Sequence, residues 1–389
     1  MSYYVIAICV LLLLAYVFDV TAKKTRIPSV ILLLVLGWTT SQLSTLMGMT
    51  VPDLNQILPV LGTIGLILIV LEGALELEIT SSKKKMIFNS FLMALIPMLA
   101  LGFVIAFAFR YFQGVGFQIA LLNALPLAVI SSAIAIPSAK YLRSDNKEFV
   151  TYESSLSDIL GVLFFNFVSM NNQLDFQSVS WFVLDVLLIL IISIISAIIL
   201  IFLLGKIKHH VKFVPIILLV LLVYYIAKIY HLPALIFILL FGILLGNVEV
   251  LNKLKIGNKF QTEILKREVH KFQPLISEIT FLIRALFFLV FGFLIQTSEL
   301  LNIDSIVWAS AITVSIFVLR AIFLKVMKMN VLPLMFIAPR GLITILLFLS
   351  IPSTLSIPLL NKSLIIQVIV LCALVMMFGM MYSRRKKSA

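Results

Sequence analysis

The sequence predicts an all-α polytopic membrane protein of about 13 transmembrane helices, arranged as two inverted six-helix repeats with interrupted crossing helices. The first observation is composition: the 389 residues are 62% hydrophobic and 12% charged, whereas soluble domains are about 45–50% apolar and about 25% charged. The second is that apolar residues form runs of about 20, which is long enough to cross a hydrocarbon core of about 30 Å. The third is a regular alternation of basic loops. Together they exclude an ordinary soluble enzyme and a disordered chain.

The alternation of basic residues supports the number and the orientation of the spans. Of 30 Lys and Arg, 24 lie in or beside the loops after odd-numbered spans or in the C-terminal tail, against three for the other loops. Because cytoplasmic loops are enriched in Lys and Arg, we expect an outside N-terminus and a cytoplasmic C-terminus, in a bacterial inner membrane. The net charge of +13 thus reflects topology, and no nucleic acid is expected as a partner. The spans are 3–20, 27–46, 57–76, 86–112, 117–142, 150–171, 179–205, 213–230, 233–248, 275–296, 304–327, 331–350 and 363–382.

Two spans with matching landmarks indicate an internal repeat. The landmarks are a Pro and a Gly nine residues apart, Pro28 and Gly37 in span 2, and Pro233 and Gly242 in span 9. The offset of seven spans is odd, so the two halves have opposite orientations. We expect a first repeat at 1–178, a connecting span 7 at 179–212, and a second repeat at 213–389. The last includes a basic amphipathic cytoplasmic segment at 249–274, where apolar residues recur at near-helical spacing.

Each repeat also has a proline in the middle of a span. Pro137 lies in span 5 and Pro339 in span 12, three spans after the respective landmark pairs. Proline removes a backbone hydrogen bond and interrupts a helix, and paired interrupted helices point to the binding site of a secondary transporter. We expect helix interruptions at both prolines. The alternative is that both are simple kinks, which membrane helices tolerate.

Asp158 is a carboxylate near the middle of the otherwise apolar span 6, with Ser154 four residues earlier on the same helical face. A buried carboxylate must pair, hydrate, bind a cation or take up a proton. A site at which a proton and a small cation compete is the minimal chemistry of an antiporter. The alternative is a structural Asp paired with an intramembrane arginine.

Further charged residues lie within the predicted spans: Glu72, Glu153, Glu278, Arg284, Arg320 and Arg340. Ionisable groups at membrane depth are costly and are functional candidates. Glu153 and Arg320 lie at similar depth from the cytoplasmic ends of their spans, so we expect them to form a structural ion pair. A pair of Glu153 with Arg284 is the alternative.

Several motifs resemble those of the monovalent cation:proton antiporter superfamily, in particular its NhaP-like sodium/proton exchanger branch. The string from Glu153 to Gly161 is similar to the family's Glu-Ser-Leu-x-Asn-Asp-Gly pattern, with Ser157 in place of the Asn. The other motifs are Leu71-Glu72-Gly73-Ala74-Leu75-Glu76, Phe287-Phe288-Leu289-Val290-Phe291-Gly292 and Ala338-Pro339-Arg340-Gly341. The resemblance implies that Asp158 carries the cation and the proton, that Ser154 is a hydroxyl ligand, and that the protein is a homodimer.

One motif departs from the family pattern. The first interrupted helix of the family carries Thr-Asp-Pro, where this chain has Ala135-Ile136-Pro137. The second carboxylate and the hydroxyl are therefore absent from this helix. We expect the backbone carbonyl of Ala135 to be the ligand from this helix, and Ser157 of span 6 to be a further ligand.

These observations predict a secondary antiporter that exchanges a monovalent cation, foremost Na⁺, for H⁺ by alternating access. Because Asp158 is the one carboxylate that no arginine need neutralise, we expect the exchange to be electroneutral. Glu72 is the next candidate for a titrating group; the alternative is that Glu72 is a hydrated residue of a cytoplasmic funnel. The expected partners are the cation, the proton, the bilayer and a second copy. We expect no cofactor, no metal beyond the transported cation and no enzymatic activity. The alternatives are a non-transporting scaffold or sensor, and a transporter of another substrate such as an organic anion.

Overall fold

The structure is a computed structural model that describes residues 2–25, 28–48, 54, 56–77, 80–139, 142–171, 176–206, 213–230, 232, 234–247 and 262–388. These residues form helices without any strand. The helices are α1 (Ser2–Thr25), α2 (Ser29–Leu46), α3 (Ile57–Glu76), α4 (Lys84–Gln113), α5 (Phe117–Ala128), α6 (Ser132–Ala139), α7 (Ser144–Met170), α8 (Phe176–Lys206), α9 (Phe213–Ile229), α10 (Ala234–Gly246), α11 (Thr262–Phe293), α12 (Thr297–Leu300), α13 (Ile303–Val326), α14 (Val331–Leu334), α15 (Leu342–Leu349) and α16 (Lys362–Ser388).

The helices confirm the predicted fold class. Within the described ranges, eight helical segments have the length and hydropathy to cross a membrane, and three further apolar helices are shorter. Two predicted spans fall outside both groups. One is α7, which carries the polar string around Asp158. The other is the interrupted pair α14 and α15. The polarity and the interruption that set these two spans apart are features expected of a functional site.

The chain divides into two compact units. The first comprises Met1–Leu66, Asn89–Gly161 and Phe281–Ala389. The second comprises Ile67–Phe88 and Val162–Thr280. Each unit takes segments from both predicted repeats, and the repeat boundaries at 178 and 212 stay predictions.

Both interrupted helices belong to the first unit, in which α5 packs against α15 and α13 packs along α16. The first helix is broken at 129–131, between α5 and α6, and the second is unwound at 335–341, between α14 and α15. Pro339 lies in the second break, as the sequence predicts. Pro137 does not lie in the first break, because it is inside α6, six residues after Ser131. The sequence prediction for Pro137 is therefore wrong.

The second unit contains α8, α9 and α10, with α10 packed against α8. A Cβ on Gly242 of α10 would overlap the Cβ of Ala74 on α3 and would lie 3.3 Å from the carbonyl oxygen of Leu71. The described part of the predicted amphipathic segment, 262–274, is the beginning of the long helix α11, and 249–261 lies outside the described residues. Phe272 of α11 is fully buried and packs against Phe213, with ring centroids 5.5 Å apart. This part of the segment is thus continuous with a membrane helix and is not a separate surface helix.

Gly37 of α2 and Gly292 of α11 lie at a close helix crossing in the first unit. A Cβ on Gly37 would overlap the carbonyl of Leu289, and a Cβ on Gly292 would overlap the carbonyl of Leu34. Small residues at such crossings let two helix backbones approach. Gly37 and Gly242, the two repeat landmarks, thus both occupy close helix contacts.

We expect Gly292→Ala to destabilise the protein by about 1–3 kcal/mol, because the methyl group would force two backbones apart. Thermal unfolding in detergent measures the effect. Gly102→Ala in α4 is the matched control, because its Cβ would lie at an ordinary 3.7 Å from the nearest atom, Cδ2 of Leu125. Equal melting temperatures for both variants would contradict the backbone contact.

Candidate functional site

Asp158 of α7 lies at the first helix break, at the amino end of α6. Its Oδ2 accepts hydrogen bonds from the backbone N–H of Ser132, at 3.3 Å, and from the Ser132 hydroxyl. Ser132 is the first residue of α6, where helix N–H groups have no intrahelical acceptor and the helix dipole favours a negative charge. Asp158 and Ser132 are each 1% exposed. The break therefore supplies donors that hold a buried carboxylate.

Two oxygen atoms at this break have no hydrogen-bond partner among the described residues. They are Oδ1 of Asp158 and the hydroxyl oxygen of Ser131, and both are buried. A buried carboxylate oxygen without a donor is costly. These oxygens are of the type that hard monovalent and divalent cations prefer.

The two interrupted helices are joined at their breaks. The N–H of Ser131 donates to the carbonyl of Pro339 at 3.0 Å. The neighbouring N–H of Ile130 donates to the hydroxyl oxygen of Ser157 on α7, also at 3.0 Å. Gly341 lies so close to Ser131 that a Cβ would be 3.0 Å from the Ser131 hydroxyl oxygen. Backbone groups freed at one break are thus satisfied by the other break and by α7.

Arg340 fills the carbonyl end of α5, on the other side of the first break. Its Nε donates to the carbonyl of Leu127 at 2.7 Å, and its Nη2 to the carbonyl of Ala128 at 3.2 Å. Its Nη1 donates to the carbonyl of Ala338 at 3.0 Å. The last carbonyls of a helix lack intrahelical donors and carry the negative end of the dipole. A fixed guanidinium therefore satisfies them.

Glu153 and Arg320 form a bidentate ion pair within the first unit. This is the pairing that the similar depth of the two residues in the membrane predicts. Nη1 of Arg320 lies 2.6 Å from Oε1 of Glu153, and Nη2 lies 2.8 Å from Oε2. The Nε of Arg320 donates to the carbonyl of Leu334 at 2.8 Å. The two side chains are 1% and 2% exposed. Asp158 is not part of this pair.

The other candidate residues have no hydrogen bond to Asp158 among the described residues. The hydroxyl of Ser154 points back to the carbonyl of Thr151, at 3.5 Å, and Ala135 is a helical residue of α6 whose N–H donates to Ser131. Arg284 is 8% exposed and has no hydrogen-bond or ion-pair partner among the described residues. Glu72 is half-buried and Glu278 is exposed, and both belong to the second unit.

Sequence reasoning missed Ser131 and Ser132. A signal was present, because two consecutive serines stand where α6 begins, Ser131 before the helix and Ser132 as its first residue, and serine is a preferred residue at helix amino ends. The hydroxyl of Ser132 reaches Asp158 from one helical turn before Ala135.

A family comparison decides the class of this protein. The family described as sodium/hydrogen exchanger, transmembrane, matches residues 9–384. The chain belongs to the sodium/hydrogen exchanger family. The family is one of transporters rather than enzymes, and the function of this exchanger is monovalent cation:proton antiport in a membrane. No curated protein sequence matches the exchanger.

The exchanger is similar in fold to two solved structures of the sodium proton antiporter MjNhaP1 from Methanocaldococcus jannaschii. The structure at pH 8 has 19% sequence identity and a TM-score of 0.69, over 98% of this chain and 95% of that chain. The structure from electron microscopy has 20% identity and a TM-score of 0.72, over 99% and 96%. These likenesses concern the fold of the exchanger.

Proposed function

We propose that the exchanger binds either Na⁺ or H⁺ at Asp158 and carries them in opposite directions, one for one and electroneutrally. The observation that supports this site is the unpartnered Oδ1 of Asp158, buried beside donors that hold the other oxygen. The ligands that we assign with it are the hydroxyls of Ser131 and Ser132. The name of MjNhaP1 as a sodium proton antiporter supports Na⁺ as the cation.

The chemistry follows from a single carboxylate with one oxygen, Oδ1, free of hydrogen bonds from the described residues. An ionised Asp158 attracts a cation, and the hydroxyl oxygens can replace part of the hydration shell of Na⁺. A protonated Asp158 attracts no cation, so loading with H⁺ and loading with Na⁺ exclude each other. Since the site is nearly inaccessible to solvent, with Asp158, Ser131 and Ser132 each 1% exposed, we propose that it opens to one side of the membrane at a time.

Three further proposals rest on the sequence. The alternation of basic loops supports an outside N-terminus and a cytoplasmic C-terminus. The resemblance to NhaP-like exchangers supports a homodimer, and we assign the protein to a bacterial inner membrane.

Electroneutrality gives the experiment that tests the proposed site. In proteoliposomes with a Na⁺ gradient, a potassium diffusion potential imposed with valinomycin is expected to leave the equilibrium Na⁺/H⁺ ratio unchanged. A cycle that moved net charge would shift by about 2.3 kcal/mol per elementary charge per 100 mV. Reversal of flux in a series of Na⁺ gradients measures the ratio. If the potential moves the reversal point, a second group titrates and the single-site proposal fails.

Ser132→Ala is expected to raise the apparent KM for Na⁺ about three- to tenfold, because a net hydrogen bond or ligand contact of about 1 kcal/mol is lost. Initial rates at fixed pH and a series of Na⁺ concentrations measure it. Ser138→Ala is the matched control in the same helix, because its hydroxyl donates to the carbonyl of Ile134 at 2.7 Å. Equal KM values in the two variants would remove Ser132 from the site.

A further inference from the structure

A small, partly open cavity of about 20 Å³ lies within the first unit, beside the two helix breaks, and Asp158 is not among the residues that line it. Its polar lining comes from Ser157, Arg320 and Arg340, which are at most 2% exposed. Met93 and Met98 of helix α4 line another side. A cavity needs about 10–15 Å³ to hold one water molecule, and the water needs two to four polar partners. This cavity is large enough and polar enough.

The two arginines have more donors than acceptors. A guanidinium has five N–H groups, and Arg320 uses three of them, on two carboxylate oxygens of Glu153 and the carbonyl of Leu334. Arg340 also uses three, all on backbone carbonyls. Two N–H groups of each arginine therefore lack an acceptor among the residues that the structure describes. Since both side chains line the same cavity, a ligand there would be a hydrogen-bond acceptor.

The cavity also offers groups that accept hydrogen bonds. The hydroxyl oxygen of Ser157 takes one bond, from the N–H of Ile130, and a hydroxyl oxygen has two lone pairs. Pro97 lies inside α4 and has no N–H, so the carbonyl of Met93, four residues earlier, loses its helical donor. Pro97 and Met93 both line the cavity. A ligand that both accepts and donates fits this combination.

We propose that this cavity holds a bound water molecule as a structural ligand of Arg320 and Arg340. The water oxygen accepts from the two guanidinium groups, and its hydrogens go to the Ser157 hydroxyl and the Met93 carbonyl. The water lies between the positive charges of Arg320 and Arg340 and hydrates both. Through its hydrogen bonds it connects α13 with the second helix break. The site is distinct from Asp158 and does not depend on which ion the protein transports.

Hydroxyl-radical labelling by pulsed radiolysis tests the proposal, because radicals formed from bound water oxidise adjacent methionines to the sulfoxide. On the full-length protein in nanodiscs, we expect Met93 and Met98 to be oxidised several-fold faster than Met376. Met376 is the internal control, because it is fully buried and does not line the cavity. If Met93 and Met98 react no faster than Met376, the cavity is dry and the proposal is overturned.

A pair of variants in α4 separates bound water from general solvent leakage. Ala94 lines the cavity, so Ala94→Leu is expected to fill it and to lower the labelling of Met93 and Met98 to the rate of Met376. Ala106→Leu, at a buried position outside the cavity, is expected to leave the labelling high. Replacement of chloride by gluconate should change nothing. Labelling that appears only without chloride would assign the cavity to an anion and overturn the water proposal.

Discussion

Asp158→Asn is expected to abolish Na⁺-driven proton flux while the protein still inserts and folds. An amide cannot take up the proton that we propose the carboxylate to exchange, and it has no charge to attract a cation. Its oxygen can still accept from the N–H and hydroxyl of Ser132, so the contact that holds α7 at the first helix break is preserved. A loss of flux to the level of empty liposomes is therefore compatible with a nearly normal melting temperature.

Flux is measured with a pH-sensitive dye in proteoliposomes after a Na⁺ pulse, with reconstituted protein quantified for each variant. Asp185→Asn is the matched control, because Asp185 is an exposed aspartate of α8 and its loss should leave the rate near that of the wild type. Wild-type flux in the Asp158 variant would place the transported proton on another group.

The largest effects on stability are expected from breaking the ion pair of Glu153 and Arg320. Glu153→Gln leaves a buried guanidinium without a counter-charge, and Arg320→Ala leaves a buried carboxylate. Removal of one partner of a buried pair typically costs about 3–5 kcal/mol. Both variants should therefore melt well below Asp158→Asn, whose hydrogen bonds survive. Thermal unfolding in detergent, followed by size-exclusion chromatography, gives the order.

A double variant distinguishes the charge from the packing. Glu153→Gln combined with Arg320→Met removes both charges. The free energy lost should be smaller than the sum of the losses in Glu153→Gln alone and Arg320→Met alone, because the effects of residues in direct contact are not additive. Melting temperatures of the single variants that match that of Asp158→Asn would deny the pair a structural role. Additive losses in the double variant would deny the coupling.

Much of this fold is predictable from the sequence, because local hydropathy and loop charge determine where spans begin and end. The place of the first helix break is not local. The break at 129–131 is held by the bond from Ser131 to Pro339 and by the bond from Ile130 to Ser157. Those partners are far away in the chain, so a proline inside α6 was a misleading sign of the break.

Part of the candidate site was also predictable from the sequence. Asp158 stands out as a charge in an apolar span, and Glu153 and Arg320 could be paired because depth in the membrane can be counted from the loops. Arg340 could not be placed, because its acceptors are the carbonyls of Leu127 and Ala128, which every residue possesses and which only the break exposes. Ser132 was missed because its serine pair marks a helix start only once the break before α6 is known.

Arg340 has a consequence for the number of ions that one transport cycle can carry. A broken helix offers two attractive ends, an amide end for anions and a carbonyl end for cations. In this chain the carbonyl end of α5 is occupied by a positive charge that is covalently part of the protein. A second mobile cation would have to displace that arginine, which has no carboxylate partner to receive it among the described residues. We therefore propose that the broken helix binds one transported cation per cycle, beside Asp158.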